Sequence, residues 1–132
     1  MTVPSAGDLQ RLRTRLVELT NRALVAVLVA DHVGLIAHVD APLAQALGWC
    51  AHELVGRPLA TIIPPHLQDA HHLGFSRFLT THQPMVLERR LTLSVATRAG
   101  TELSAEHVIT AIRIETGWLF AAAIRMQDSH AG

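Results

Sequence analysis

His71 lies in the stretch Ile63-Pro-Pro-His-Leu-Gln-Asp-Ala-His-His-Leu-Gly-Phe-Ser-Arg-Phe-Leu-Thr-Thr-His82. Within it, Leu67, Ala70, His71, Gly74, Phe75, Phe78 and Leu79 recur at the spacing of a single helical stripe. That spacing predicts one amphipathic helix with an imidazole on its apolar face, while His66, His72 and His82 fall off the stripe or at its ends, in water. Burying a polar ring without a partner costs about 1 to 3 kcal/mol, so His71 requires a hydrogen bond or a metal ion. The plainer solution is a bond to a loop carbonyl that holds helix to sheet. A second imidazole sits in a run of period two: Leu103, Ala105, His107, Ile109 and Ala111 share one face, and Glu102, Ser104, Glu106 and Thr110 the other. His107 therefore points with the apolar side, although a slip of one residue in register would turn it to solvent.

Elements that position these two rings can be read on either side of them. Asp8 is placed to cap a helix whose Leu9, Leu12, Leu16 and Leu19 form an apolar stripe, with arginines on its other faces. The stripe has the spacing of a short coiled-coil seam, serving either a dimer or packing on its own domain. Two apolar runs, Leu24 to Ala30 and Gly34 to Val39, are split by Asp31-His32-Val33-Gly34 and predict a hairpin. Asp40 is placed to cap a short helix over Pro42 to Leu47 that ends at Gly48; a second helical turn closes at Gly56, and a third segment runs from Pro58 to Pro65. After Pro84 three strands are expected, over Met85 to Arg98, Thr101 to Ile114 and Trp118 to Met126, joined by Ala99-Gly100 and Glu115-Thr116-Gly117. The sum is an α+β domain with a five-stranded antiparallel sheet, short helices on one face and an N-terminal amphipathic helix. Its parts are an arm over residues 1–23, a domain over 24–126 and a tail over 127–132.

Composition narrows the function. With 132 residues the chain is the size of one domain, and 11 basic residues against 11 acidic ones leave neither a nucleic-acid footprint nor a polybasic membrane anchor. Aromatics make up only 4% of the chain, so the core is built from aliphatic residues and leaves interior space. Cys50 is the only cysteine, which excludes an intrachain disulfide and makes a cytoplasmic location the expectation. No segment is apolar for long enough to span a bilayer, and there is no basic-then-apolar leader pattern. Nucleophile elbows, phosphate-cradling glycine loops and zinc-protease motifs are all missing, so the chain is expected not to be an enzyme.

The order of elements resembles that of a PAS domain, and the residues agree. Gly34-Leu-Ile-Ala-His-Val-Asp-Ala-Pro-Leu-Ala-Gln-Ala-Leu-Gly-Trp-Cys-Ala-His-Glu-Leu-Val-Gly-Arg-Pro-Leu59 is similar to the family's pattern of glycine, strand, Asn or Asp cap, helix, Gly-aromatic and Glu-Leu-hydrophobic-Gly. Arg98-Ala-Gly-Thr stands where the family usually has Lys-Asp-Gly, and Ala123-Ile-Arg-Met-Gln-Asp resembles its Arg-Asp-Ile-Thr strand end, interrupted here by Met126-Gln127. Within the family, Pro64 to Thr81 resembles the haem-bearing oxygen sensors of the FixL type: His71 falls on their ligand position, and Ser76-Arg-Phe-Leu-Thr-Thr81 on the ending that follows it. Their gating arginine is replaced by Leu91, with Arg89 two residues earlier on the same face.

This resemblance implies a sensory domain holding haem b through His71, with Phe75 beside it, and responding to O2, CO, NO or redox state. It makes His107 a distal residue, either hydrogen-bonding a bound gas or binding iron as a sixth ligand, Leu91, Leu93 and Ile109 apolar walls, and the Trp118 indole N–H a donor to bound gas, Phe120 sharing the tryptophan's face. Arg89, Arg90 or His72 would meet the propionates. A homodimer through the N-terminal helix and a downstream kinase, cyclase or other effector are the expected partners. The alternative is a cofactor-free PAS module for protein interaction, with a small apolar molecule in its interior.

Overall fold

The computed structural model describes residues 3–71 and 88–127. Helix α1 spans Ala6–Thr20 and is followed by β1 (Val27–Asp31), β2 (Ile36–Val39), α2 (Ala41–Ala46) and α3 (Ala51–Leu54). Two 3-10 turns, Leu59–Ile62 and Pro65–Leu67, then lead to β3 (Arg90–Ala96), β4 (Glu102–Ile114) and β5 (Gly117–Met126). All strand pairs are antiparallel, in the spatial order β2-β1-β5-β4-β3.

The sheet is covered on both sides, and alternation along each strand sorts the two layers. Leu28, Val95, Ala105 and Ile124 face α2, α3 and the first 3-10 turn, where Leu43, Leu47, Leu54 and Ile62 complete one apolar cluster. We call this the inner face. Val27, Val29, Val108, Leu119, Ala121 and Ala123 face the other way and bury Leu12 and Leu16 of α1. The leucine stripe is thus spent on the chain's own sheet, with Leu12 and Leu16 fully buried. The side of β4 that reads as polar in sequence is not a solvated face: Val108 and Thr110 are buried there, with Ile112 packed against the same cluster. A bulge in the β1–β2 ladder, where Ala30 pairs with Ile36 and Val29 with His38, turns both Ile36 and Val39 inward although they are an odd number of residues apart.

Several boundaries differ from expectation for physical reasons. Ser5, not Asp8, is the N-cap of α1; Asp8 sits three residues in and returns the bond, its carboxylate accepting from the Ser5 N–H at 3.1 Å while its own N–H donates to Ser5 Oγ at 3.0 Å. Asp40 occupies the N-cap position of α2, yet its side chain makes no cap bond because it is drawn to α1. The stretch expected as one helix from Ile63 instead passes through the second 3-10 turn and is helical over residues 68–71; the rest of that expected helix lies outside the described residues. β3 begins only at Arg90, since Glu88 has a left-handed backbone (φ 62°) that a strand cannot continue through.

Candidate functional site

His107 lies on the inner face of the sheet. It pairs with Leu91 on β3 and Ile124 on β5, so the expected register holds and the ring is on the side of Ala105 and Leu103. Only 7% of the residue is exposed. Burial disfavours the charged ring and pulls its pKa below the usual histidine range; the bond to the Ala105 carbonyl opposes this less strongly. That bond, 3.1 Å from Nδ1 to Ala105 O, also fixes the tautomer. A carbonyl oxygen can only accept, so Nδ1 carries the proton and Nε2 is left with a lone pair. A neutral imidazole anchored through its other nitrogen to a backbone carbonyl is the arrangement metal-ligating histidines use.

Around it, β4 pairs Ile109 with Ala122, Ala111 with Phe120 and Arg113 with Trp118. Leu91, Ile109, Trp118 and Phe120 therefore share the inner face with His107, and all four are half-buried. Leu93, opposite Ala105, is 41% exposed. The Arg113 guanidinium lies over the Trp118 ring, 5.6 Å from its centroid. His71 is half-buried in the helical residues 68–71, and Ala70, which spacing puts on the buried stripe, is exposed. Phe75 and His72 lie outside the described residues.

Of the candidate cations, neither Arg89 nor Arg90 is part of the inner ladder of β3. Arg89 sits in an exposed bend before β3 rather than on the inner ladder, because Glu88 breaks the extended backbone there. Arg90 is on the opposite face and donates to the Thr20 carbonyl at the end of α1, 3.1 Å away. Among the described residues, no three His, Cys, Asp or Glu side chains are grouped to hold a free metal ion.

The outer face carries polar groups that the sequence does not single out. Arg13 grips Asp40 with two bonds of 3.0 Å, and Asp40 also accepts from the Val27 N–H at 2.9 Å and contacts His38 Nε2 at 3.0 Å. Partial burial works against ionisation, but these donors together hold the Asp40 carboxyl down at about 2. Arg15 makes a second two-bond pair with Glu88, at 2.9 and 3.0 Å, and Thr110 donates to the same carboxylate at 2.9 Å. Arg22 pairs with Glu106 at 2.8 Å. An open groove of about 470 Å³ runs between α1 and β4, lined among others by Arg11, Arg15, Glu18 and Glu88; its charged walls do not suit an apolar cofactor. Below the inner face, Trp49 is sandwiched between Arg57 and Arg98, each 4.6 Å from the ring centroid, and Arg98 pairs with Glu53 at 3.0 Å. Cys50 beside it is exposed and free.

A five-stranded antiparallel sheet in this order, with short helices between β2 and β3, defines the PAS fold, and solved structures agree. The chain is similar to the PAS domain of a Desulfitobacterium hafniense protein at a TM-score of 0.63, with 16% identity over 78% of this chain and 92% of that one. It is similar to the PAS domain of an HTR-like protein from Haloarcula marismortui at a TM-score of 0.59, with 20% identity over 92% of this chain and 96% of that one. An uncharacterized protein of Azorhizobium caulinodans is 32% identical over 101 residues, which is 76% of this chain but 14% of that protein's length. No family model matches. Among the described residues, no helix is long and apolar enough to cross a membrane.

Proposed function

We propose that this PAS-fold domain is a non-catalytic sensory module in signal transduction that holds haem b against the inner face of its sheet, with His71 as iron ligand and His107 facing it. The observation that supports this most is His107: a buried, neutral imidazole whose Nδ1–H is committed to Ala105 O and whose Nε2 keeps its lone pair. Leu91, Ile109, Trp118 and Phe120 supply the half-buried apolar surface a porphyrin requires. When bound, haem supplies an iron centre able to take O2, CO or NO or to change redox state. The chain's own contribution is to hold His71 on a helix, to keep His107 unprotonated and to exclude water with the aliphatic wall. The response passes to a kinase, cyclase or other effector. A dimer contact through α1 uses faces other than its leucine stripe, which the sheet already covers.

One observation favours the second reading, a cofactor-free interaction module with a small apolar ligand. Arg90 is turned to α1 and is not available to propionates on the inner face, and Arg89 lies in an exposed bend ahead of β3. Absorption spectra of the hemin-reconstituted protein, oxidised and reduced, with and without CO, separate the two. A sharp Soret band that shifts with CO and is lost in His71→Ala supports haem; a broad band unchanged by that substitution refutes it and leaves the apolar-ligand module.

A further inference from the structure

Glu88 bonds two successive residues of β4 and, through its carboxylate, α1 as well. Its N–H donates to the Ile109 carbonyl at 2.7 Å, and Ile109 is a wall of the inner-face site. Its carboxylate accepts from Thr110, the next residue on β4, whose side chain is buried on the outer face. The same carboxylate takes the two-bond grip of Arg15 on α1. The residue holds a left-handed backbone that glycine or asparagine would adopt more readily. A glutamate kept there against its backbone preference, with its N–H and both carboxylate oxygens engaged, is over-determined by its surroundings, as functional positions are. The other polar ties of α1 meet the sheet at different points: Arg13 bonds Asp40 beside β1, and the Thr20 carbonyl at the end of the helix accepts from Arg90 on β3.

We propose that Glu88 is the residue that couples occupancy of the inner face to the docking of α1. A ligand pressing on Ile109 moves the β4 backbone at the carbonyl that Glu88 holds. Glu88 carries that displacement to Arg15, and the part of α1 around Arg15 loosens or tightens on the sheet. The inference takes its site from the sensory reading above, but the coupling itself does not depend on which ligand fills that site.

Hydrogen exchange of the α1 amides in the full chain tests it, with strand amides of β1 and β5 as the control for global opening. Four proteins are compared, each with and without hemin: wild type, Glu88→Gln, Ile109→Ala and the double variant. Loss of the carboxylate is expected to speed α1 exchange roughly two- to fivefold, the scale of an exposed ion pair, without changing the strand amides. The α1 response to Ile109→Ala is expected in wild type and absent in the Glu88→Gln background. Glu88→Gly, which relaxes the backbone while removing the carboxylate, should reproduce Glu88→Gln and decides the matter if the glutamine variant fails to fold. An α1 response of equal size with and without the carboxylate, or no response to Ile109→Ala at all, overturns the coupling. Failure of hemin to bind, with the Ile109→Ala response still abolished by Glu88→Gln, refutes haem and supports the coupling.

Discussion

Replacing His107 with Leu should remove a pH dependence of stability that the wild-type fold carries. The ring is neutral in the native state because burial disfavours its charge, whereas in the unfolded chain it titrates near the ordinary value of 6.5. A base whose folded pKa is depressed contributes its stability fully above the unfolded value and loses it as pH falls through and below that value. Between pH 7.5 and pH 5 the unfolded ring takes up nearly one proton that the native ring resists, which costs the native state at most about 2 kcal/mol. A leucine side chain has no site for that proton. At pH 7.5 the exchange loses one bond to Ala105 O and gains a more apolar side chain, so the two proteins should differ by no more than about 1 kcal/mol there. Urea denaturation at both pH values checks this: wild type should lose up to about 2 kcal/mol more than His107→Leu on acidification. Identical losses would mean that the ring is protonated or solvated in the native state, and the argument for a lone pair at Nε2 would fail with it.

Three further outcomes are expected. Leu16→Ala, at a fully buried position under the sheet, should cost about 2 to 5 kcal/mol in urea denaturation; a loss below about 1 kcal/mol would show that α1 does not pack there. Arg13→Met should raise the Asp40 carboxyl from about 2 toward its ordinary value of 3.8, followed by carboxyl NMR. Because that pKa is depressed in the fold, the Arg13–Asp40 contribution is present above about pH 4 and lost as pH falls toward 2; solvent screening of this partly exposed pair limits it to about 1 kcal/mol. Gly117→Ala should destabilise β5, since the added Cβ would lie 2.9 Å from His32 Nδ1 at a φ of 138°; unchanged thermal stability would refute that contact.

How much of this is legible in the sequence depends on the range of each interaction. The alternation Leu103, Ala105, His107, Ile109 is local, and β4 adopts the face assignment it predicts. The hairpin, the short helices and the closing meander are punctuated by Gly34, Gly48, Gly56, Gly100 and Gly117, all of which have positive φ. Long-range polar pairing is not legible. Asp40 reads as a helix cap because the side-chain oxygen a cap needs is the same one Arg13 uses, and nothing within a few residues announces a partner 27 positions away. Glu88 reads as part of a strand from Met85; the one signal against that is the charged run Glu88-Arg89-Arg90 just before the apolar alternation of Leu91, Leu93 and Val95 begins. Arg15, 73 residues away, turns that charge into a link.

The two faces of the sheet explain why the residues most easily read are not the ones that organise the molecule. Apolar alternation says that a strand has two sides, but not that both are covered. Once α1 occupies the outer face, Thr110 is buried where its spacing suggests solvent, and it needs an acceptor, which Glu88 supplies. Satisfying that hydroxyl draws in Arg15, and the N–H of the residue that bears the carboxylate is fixed to the Ile109 carbonyl, two residues along β4 from His107. The polar chain from Arg15 to Ile109 is therefore a consequence of covering the sheet twice. A chain with an uncovered outer face would have no use for a glutamate in a left-handed conformation, and its inner face would have no rigid path to a flanking helix.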